Sequence, residues 1–121
     1  MNSEDSRIPG YLRDIVERTD RILQFTKDVT FAEFLDNLQL QDAVIHNFEI
    51  IGEASGSLLR EHREFAERNP ELPLRPANGL RNRLAHGYRD VNLETVWNAI
   101  ERDLSRLREQ VLAILEKTGL E

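Results

Sequence analysis

Residues 40–58, LQDAVIHNFEIIGEASGSL, carry the most regular apolar pattern of the chain. The apolar residues that repeat in this segment are Leu40, Val44, Phe48, Ile51, Ala54 and Leu58. Their spacings of four, four, three, three and four residues place all of them on one side of a helix. The pattern predicts a helix from about Leu40 to about Arg60. Gly52 inside it costs about 1 kcal/mol relative to alanine, so we expect the backbone of another helix to come close there.

Two further helices are predicted before this segment. Apolar residues at helical spacing predict a first helix from about Tyr11 to about Lys27. Thr30 and Glu33 have the spacing of a capping box, and Val29 and Phe34 are placed as the hydrophobic staple around it. A short second helix is therefore expected to begin just after Thr30.

Prolines interrupt the pattern in the next segment, residues 60–79, which we expect to be largely irregular. The prolines at its end are Pro70, Pro73 and Pro76. Because proline disfavours a helix interior, no helix is expected to cross them. A fourth helix is predicted to begin near Ala77 and to stop at Gly87. A long last helix is predicted from the N-cap residue Asn92 to Gly119.

These elements predict an all-α fold, an antiparallel bundle of four to five helices in a single domain spanning residues 1–121. No segment shows the pattern of a strand. The apolar stripe left over by such a bundle favours a twofold homodimer. The chain has no cysteine, no signal-peptide pattern at its start and no apolar run of about 20 residues. We therefore expect a cytoplasmic location.

Charge is distributed unevenly along the chain. The net charge is -6, yet residues 72–89 contain no acidic residue and carry a formal charge of +4, which leaves -10 for the rest. The arginines of this window are Arg75, Arg81, Arg83 and Arg89. The acidic remainder argues against a general coat for nucleic acid. The window is either a local site for an anionic ligand or an ordinary solvated surface.

The basic window contains RNRLAHGY, residues 81–88, which combines groups suited to phosphate chemistry. Arginine stabilises charge on phosphate oxygens, and histidine transfers a proton near neutral pH. On an ideal helix Arg81 and His86 would be about 140° apart. They converge only if the helix ends between them or if a second subunit supplies its own pair. The structural alternative is a polar helix end, with His86 capping the last carbonyls and Tyr88 half-buried in packing.

Other chemistries find no support in the sequence. The histidines, His46, His62 and His86, are far apart, and no HExxH motif is present. A phosphate-binding Walker loop, a GxSxG motif and a glycine-rich dinucleotide loop are also missing. We therefore predict neither a metal site nor a cofactor, and the residues of RNRLAHGY suit metal-independent cleavage of RNA.

The motif RNRLAHGY resembles the R-x4-H-x-Y motif of HepT-like toxins, which are ribonucleases of the HEPN superfamily. The resemblance extends over most of the chain. The segments that carry it are YLRDIVERTDRILQF, DAVIHNFEIIGEAS, PELPLRPANGLRN and VNLETVWNAIERDLSRL. Their order along the chain is that of the family.

The resemblance implies a homodimeric, metal-independent endoribonuclease that acts as the toxin of a type VII HepT/MntA-like system. Arg81 would stabilise the phosphate of the RNA substrate, His86 would be the general acid or base, and Asn82 would be a supporting polar residue. Tyr88 would accept AMP from an MntA-like minimal nucleotidyltransferase, the antitoxin, and this AMPylation would switch the enzyme off. Arg83 and Arg89 are expected to contact phosphate.

Three further positions bear on the site. Leu74 and Ala77 stand where the family usually has a tryptophan and a larger apolar residue, so the apolar volume near the motif is smaller here. Glu53 either orients a site arginine or is a surface acid of the third helix. The competing functional hypothesis is a non-catalytic module that binds a nucleotide or a nucleotidyltransferase through the same cleft.

Overall fold

The structure is a computed structural model that describes residues 5–86 and 92–118. Within these ranges the chain forms a short 3-10 turn, Asp5–Arg7, and seven α-helices. The helices are α1 (Ile8–Phe25), α2 (Phe31–Leu35), α3 (Leu38–Glu61), α4 (Arg63–Arg68), α5 (Leu74–His86), α6 (Leu93–Arg102) and α7 (Leu104–Thr118). No strand occurs in the described part, so the all-α prediction is confirmed, although the number of helices exceeds the four to five expected.

Local signals placed the starts of α2 and α6 correctly. The Glu33 amide donates to the Thr30 hydroxyl at 3.1 Å, and the Thr30 amide donates to the Glu33 carboxylate at 3.0 Å. These are the two bonds of a capping box. The Thr30 backbone N–H, and then its hydroxyl, donate to the carboxylate and lower the pKa of Glu33 below its ordinary value of 4.5. Asn92 caps α6 in a similar way, since its side chain accepts from the Glu94 and Thr95 amides.

Helix α1 begins at Ile8, before the predicted start near Tyr11, and Pro9 lies in its first turn. A proline there removes no helical hydrogen bond, since the first amides of a helix have no partner within it. No helix crosses the three prolines, as predicted, but the same reason corrects the predicted start of the fourth helix near Ala77. Helix α5 begins at Leu74, and Pro76 is its third residue.

Two other predictions about helices were wrong. The segment expected to be irregular contains α4, a short helix anchored by the buried side chain of Phe65, because the prolines restrict only the residues after it. The single last helix is divided at Asp103, whose φ of -110° departs from helical geometry. Backbone hydrogen bonds still reach Asp103 from both sides, at 3.0 Å to Ala99 and 2.9 Å from Leu107, so the interruption is one residue long.

The core surrounds α3, which packs against α1, α2, α4 and α5. Its buried apolar residues include every member of the predicted stripe except Leu40, which is partly buried. Trp97 of α6 joins this core to α2, since its ring centroid lies 5.1 Å from that of Phe34. The most extensive helix pair is α3 with α5, and this pair positions the basic motif.

Candidate functional site

Glycines of α3 bring α5 unusually close. A Cβ atom added to Gly52 would overlap the Cβ of Arg81 and lie 2.7 Å from the carbonyl oxygen of Ala77. Atoms of real side chains do not approach backbone oxygen so closely, so any larger residue would force the helices apart. The prediction that another helix backbone lies against Gly52 is therefore confirmed, and the helix is the one that carries the basic motif.

The glycine contact is repeated one helical turn along α3. A Cβ atom on Gly56 would lie 2.5 Å from Oδ1 of Asn78 and 2.7 Å from Nη1 of Arg60. Gly52 and Gly56 thus form a small-residue seam with α5. The glycine spacing G-x-x-x-G is visible in the sequence, and it is the signal by which Gly56, Asn78 and Arg60 could have been connected with the motif.

The side chain of Arg81 begins at the contact with Gly52, and its guanidinium lies toward the surface. Its Cβ packs on Gly52, the residue as a whole is half-buried, and Nη1 donates to Oδ1 of Asn82 at 3.4 Å. No described carboxylate oxygen lies within 4.0 Å of the guanidinium. Arg81 therefore has a fixed base and a charged end that is not neutralised within the described residues.

Of the other predicted site residues, Asn82 is the described hydrogen-bond partner of Arg81, whereas Arg83 and Glu53 occupy separate exposed positions. Asn82 is exposed and is the hydrogen-bond partner of Arg81, so the structure brings these two predicted residues together. Arg83 is exposed on the same helix. Glu53 is also exposed, and it makes no ion pair with Arg81 in the described part of the chain.

The relation between Arg81 and His86 is decided by the helix. The backbone of α5 is helical from Leu74 through His86. A helix end between the two residues, one of the two ways in which they could converge, is therefore excluded. On a continuous helix these two positions are about 140° apart.

The remaining predicted residues lie outside the described part of the chain. They are the side chain of His86, together with Gly87, Tyr88 and Arg89. The predicted helix stop at Gly87 falls in the same segment, as does the one at Gly119 near the end of the chain.

An apolar groove of about 410 Å³ adjoins the seam on the side of α6 and α7. Ala77 and Leu80 of α5 line it together with Phe48 and Ile51 of α3, and Asp103 lies at the division between α6 and α7. Ala77 therefore faces open volume, whereas Leu74 is buried in the core.

The described residues offer neither a metal site nor a membrane-spanning helix. The described residues contain no group of three or more His, Cys, Asp or Glu side chains arranged to hold a metal ion. None of their helices is both long and apolar enough to cross a bilayer.

The fold and the site define a small all-α protein in which a glycine-lined helix seam presents, near its surface, an arginine that no carboxylate of the described residues neutralises. A model of the family described as "Ribonuclease HepT-like" matches residues 15–114, which is most of the chain. The chain belongs to this HepT-like family, as its resemblance to the R-x4-H-x-Y toxins predicted.

Relatives that align with this chain over most of their own length agree with this assignment. A protein of Methanocaldococcus jannaschii named "Putative RNase MJ1380" is 34% identical over 104 residues, which cover 86% of this chain and 93% of the relative. A protein of Thermococcus cleftensis named "Probable ribonuclease HepT" is 36% identical over 98 residues, covering 81% of this chain and 86% of the relative. No solved structure matches the chain with significance.

Proposed function

We propose that the chain is a metal-independent endoribonuclease whose substrate phosphate binds at Arg81. The observation that carries the proposal is the packing of Arg81 on Gly52, which fixes the base of a guanidinium that no described carboxylate neutralises. A preorganised cation stabilises the charge that develops on phosphate oxygens without reorganising during the reaction. Membership of the HepT-like ribonuclease family agrees with RNA as the substrate.

The proposed reaction needs one base, one acid and a cation. His86 accepts the proton of a ribose 2′-hydroxyl, and the 2′-oxygen attacks the adjacent phosphorus. The bond between phosphorus and the 5′-oxygen breaks, and a protonated imidazole returns a proton to that oxygen. The products are a 2′,3′-cyclic phosphate and a 5′-hydroxyl, and Arg81 stabilises the crowded phosphorane between them. Asn82 holds the guanidinium through the bond at 3.4 Å.

The site is proposed to be completed by a second copy of the chain. Arg81 and His86 occupy positions about 140° apart on one continuous helix, and we infer from this that one chain alone does not supply both groups to a single phosphate. In a twofold dimer the Arg81 of one subunit faces the same cleft as the His86 of the other. Arg83 and Arg89 would extend the positive surface of that cleft.

Control of the activity is proposed to act through Tyr88. An MntA-like nucleotidyltransferase would catalyse attack of the Tyr88 oxygen on the α-phosphate of ATP, with release of pyrophosphate. The AMP group adds bulk and a negative phosphate beside the basic motif, where it competes with RNA. The chain would then be the toxin and the transferase the antitoxin of a paired system.

The test compares RNA cleavage by the wild type with cleavage by Arg81→Ala and His86→Ala, all in the presence of a chelator. We expect each variant to lose cleavage at least 100-fold, since each removes one catalytic group. Mixing the two inactive variants and exchanging their subunits should restore part of the activity, because the mixed dimer contains one intact Arg81–His86 combination across the interface.

Three results would contradict parts of this proposal. Equal cleavage by the wild type and both variants would remove these residues from the mechanism. No recovery in a verified mixed dimer would place the site within one chain. No cleavage by the wild type, with retained binding of a nucleotide or a nucleotidyltransferase, would instead favour the non-catalytic binding module.

A further inference from the structure

A second guanidinium and carboxamide lie together on the same seam, one turn from Arg81 and Asn82. The Nη1 atom of Arg60 and the Oδ1 atom of Asn78 are placed 2.7 Å and 2.5 Å from the same point above Gly56. The two atoms are therefore within about 5 Å of each other, although their residues belong to different helices. Arg60 is exposed and Asn78 is half-buried, so this pair is accessible to a ligand.

Both side chains have capacity for a ligand. The guanidinium of Arg60 has no carboxylate partner among the described residues, and neither side chain forms a hydrogen bond within them. Guanidinium groups bind phosphate oxygens through paired N–H donors. Asn78 presents its acceptor Oδ1 above Gly56, next to the Arg60 guanidinium, and its two Nδ2 N–H donors remain for an anion. An anion with several oxygen acceptors matches this set.

The arrangement of the two arginines indicates which anion. The Cβ of Arg81 packs on Gly52, and Nη1 of Arg60 lies above Gly56, one helical turn along α3. Both arginines therefore leave the same α3–α5 seam within one turn of each other. A single RNA strand along this seam would pass both guanidiniums, and each would bind a separate phosphate.

We propose that Arg60 and Asn78 form a second subsite for the RNA backbone, next to the phosphate held by Arg81. The inference rests on the proposed ribonuclease function and extends it, since the substrate strand would follow the α3–α5 seam. Gly56 has a part in this subsite because its missing side chain leaves room for both groups. The acidic body of the chain does not attract RNA in general, so individual arginines on the seam decide where the strand lies.

Salt dependence of binding provides the test. The probe is a single-stranded RNA of mixed sequence with a 2′-O-methyl group on every ribose, which removes the attacking hydroxyl. For single strands, the slope of log K against log salt changes by about 0.7 for each phosphate neutralised. Arg60→Gln is expected to reduce the slope by about 0.7 and to weaken binding at low salt. Arg81→Gln is expected to do the same.

Two matched variants separate a placed contact from a change in net charge. Arg21→Gln removes the same charge from an exposed position on α1, where Arg21 pairs with Glu17 at 2.9 Å, and should leave the slope unchanged. Gly56→Ala keeps every charge but displaces the flexible ends of Arg60 and Asn78. This variant should therefore fold, and its salt-dependence slope should fall by the same amount as that of Arg60→Gln. Circular dichroism checks that each variant is folded.

The outcomes distinguish this subsite from the proposed function. If the wild type binds RNA and Arg81→Gln reduces the slope, but Arg60→Gln does not, the second subsite is refuted and the function stands. Equal slopes for Gly56→Ala and the wild type would refute placement over the glycine. If the wild type neither binds nor cleaves RNA, the function fails and the subsite fails with it.

Discussion

The substitution Gly52→Ala tests the closest helix contact in the structure. The new Cβ would overlap the Cβ of Arg81 and lie 2.7 Å from the Ala77 carbonyl oxygen. Neither atom is the end of a flexible side chain, so α5 must move as a unit. Overpacking of this kind costs about 1–3 kcal/mol, and the better helix propensity of alanine returns about 1 kcal/mol. We expect a net loss of about 1 kcal/mol of unfolding free energy.

Activity should fall by much more than this loss of stability suggests. A change of about 1 kcal/mol lowers the melting temperature of a domain of this size by about 4 °C, and the protein stays folded at 25 °C. Yet a displacement of a catalytic group by about 1 Å reduces a rate by about 100-fold, and Arg81 is the group in contact. Thermal melting and RNA cleavage below the transition measure the two effects separately.

A matched glycine supplies the control. Gly10, in α1, has no heavy atom within 4 Å of the position of an added Cβ, so Gly10→Ala should not lower the melting temperature or the rate. If Gly52→Ala behaved like Gly10→Ala in both measurements, α3 and α5 would not be in contact at this point. The positioning of Arg81 by the seam would then be wrong.

Two further predictions concern Tyr88 and the capping box. Incubation with an MntA-like transferase and ATP should add one AMP to the wild type and none to Tyr88→Phe by intact mass, and a modified Tyr88→Phe would exclude that acceptor. The hydrogen bonds from Thr30 lower the pKa of Glu33, so its carboxylate stabilises the fold above the ordinary value of 4.5, and this is lost as pH falls through the lowered value. In urea unfolding, the unfolding free energy of the wild type should exceed that of Glu33→Gln at pH 7 and match it in acid; a difference that stays constant with pH would contradict the linkage.

The family and the helical class were predictable because their signals are local. A capping box joins residues three apart, and an apolar stripe repeats every three or four residues, so Thr30, Glu33 and the stripe of α3 are readable without knowledge of the fold. Gly52 was a less direct signal. Its cost within a helix indicated a close neighbour, and the neighbour proved to be the helix that carries the motif.

Helix bounds near prolines were predicted less well because a proline disfavours only some positions of a helix. The fourth helix was predicted to begin near Ala77, after Pro76, yet Pro76 occupies the first turn of α5, where an amide is not needed. Phe65 made α4 possible by burial against the rest of the protein, which no pattern of six residues reveals. The break between α6 and α7 at Asp103 was likewise not predicted, because the apolar stripe of the sequence continues across it.

The sequence by itself determined an all-α chain of the HepT-like family and the motif from Arg81 to Tyr88, because propensity, caps and motif spacing are properties of neighbouring residues. Only the tertiary structure decided that the Cβ of Arg81 packs on Gly52, and that Nη1 of Arg60 and Oδ1 of Asn78 both lie above Gly56. These residues are far apart along the chain, and their contact depends on how closely two packed helices approach. The absence of two side chains on α3 sets that distance, and it thereby positions the charges proposed to bind RNA.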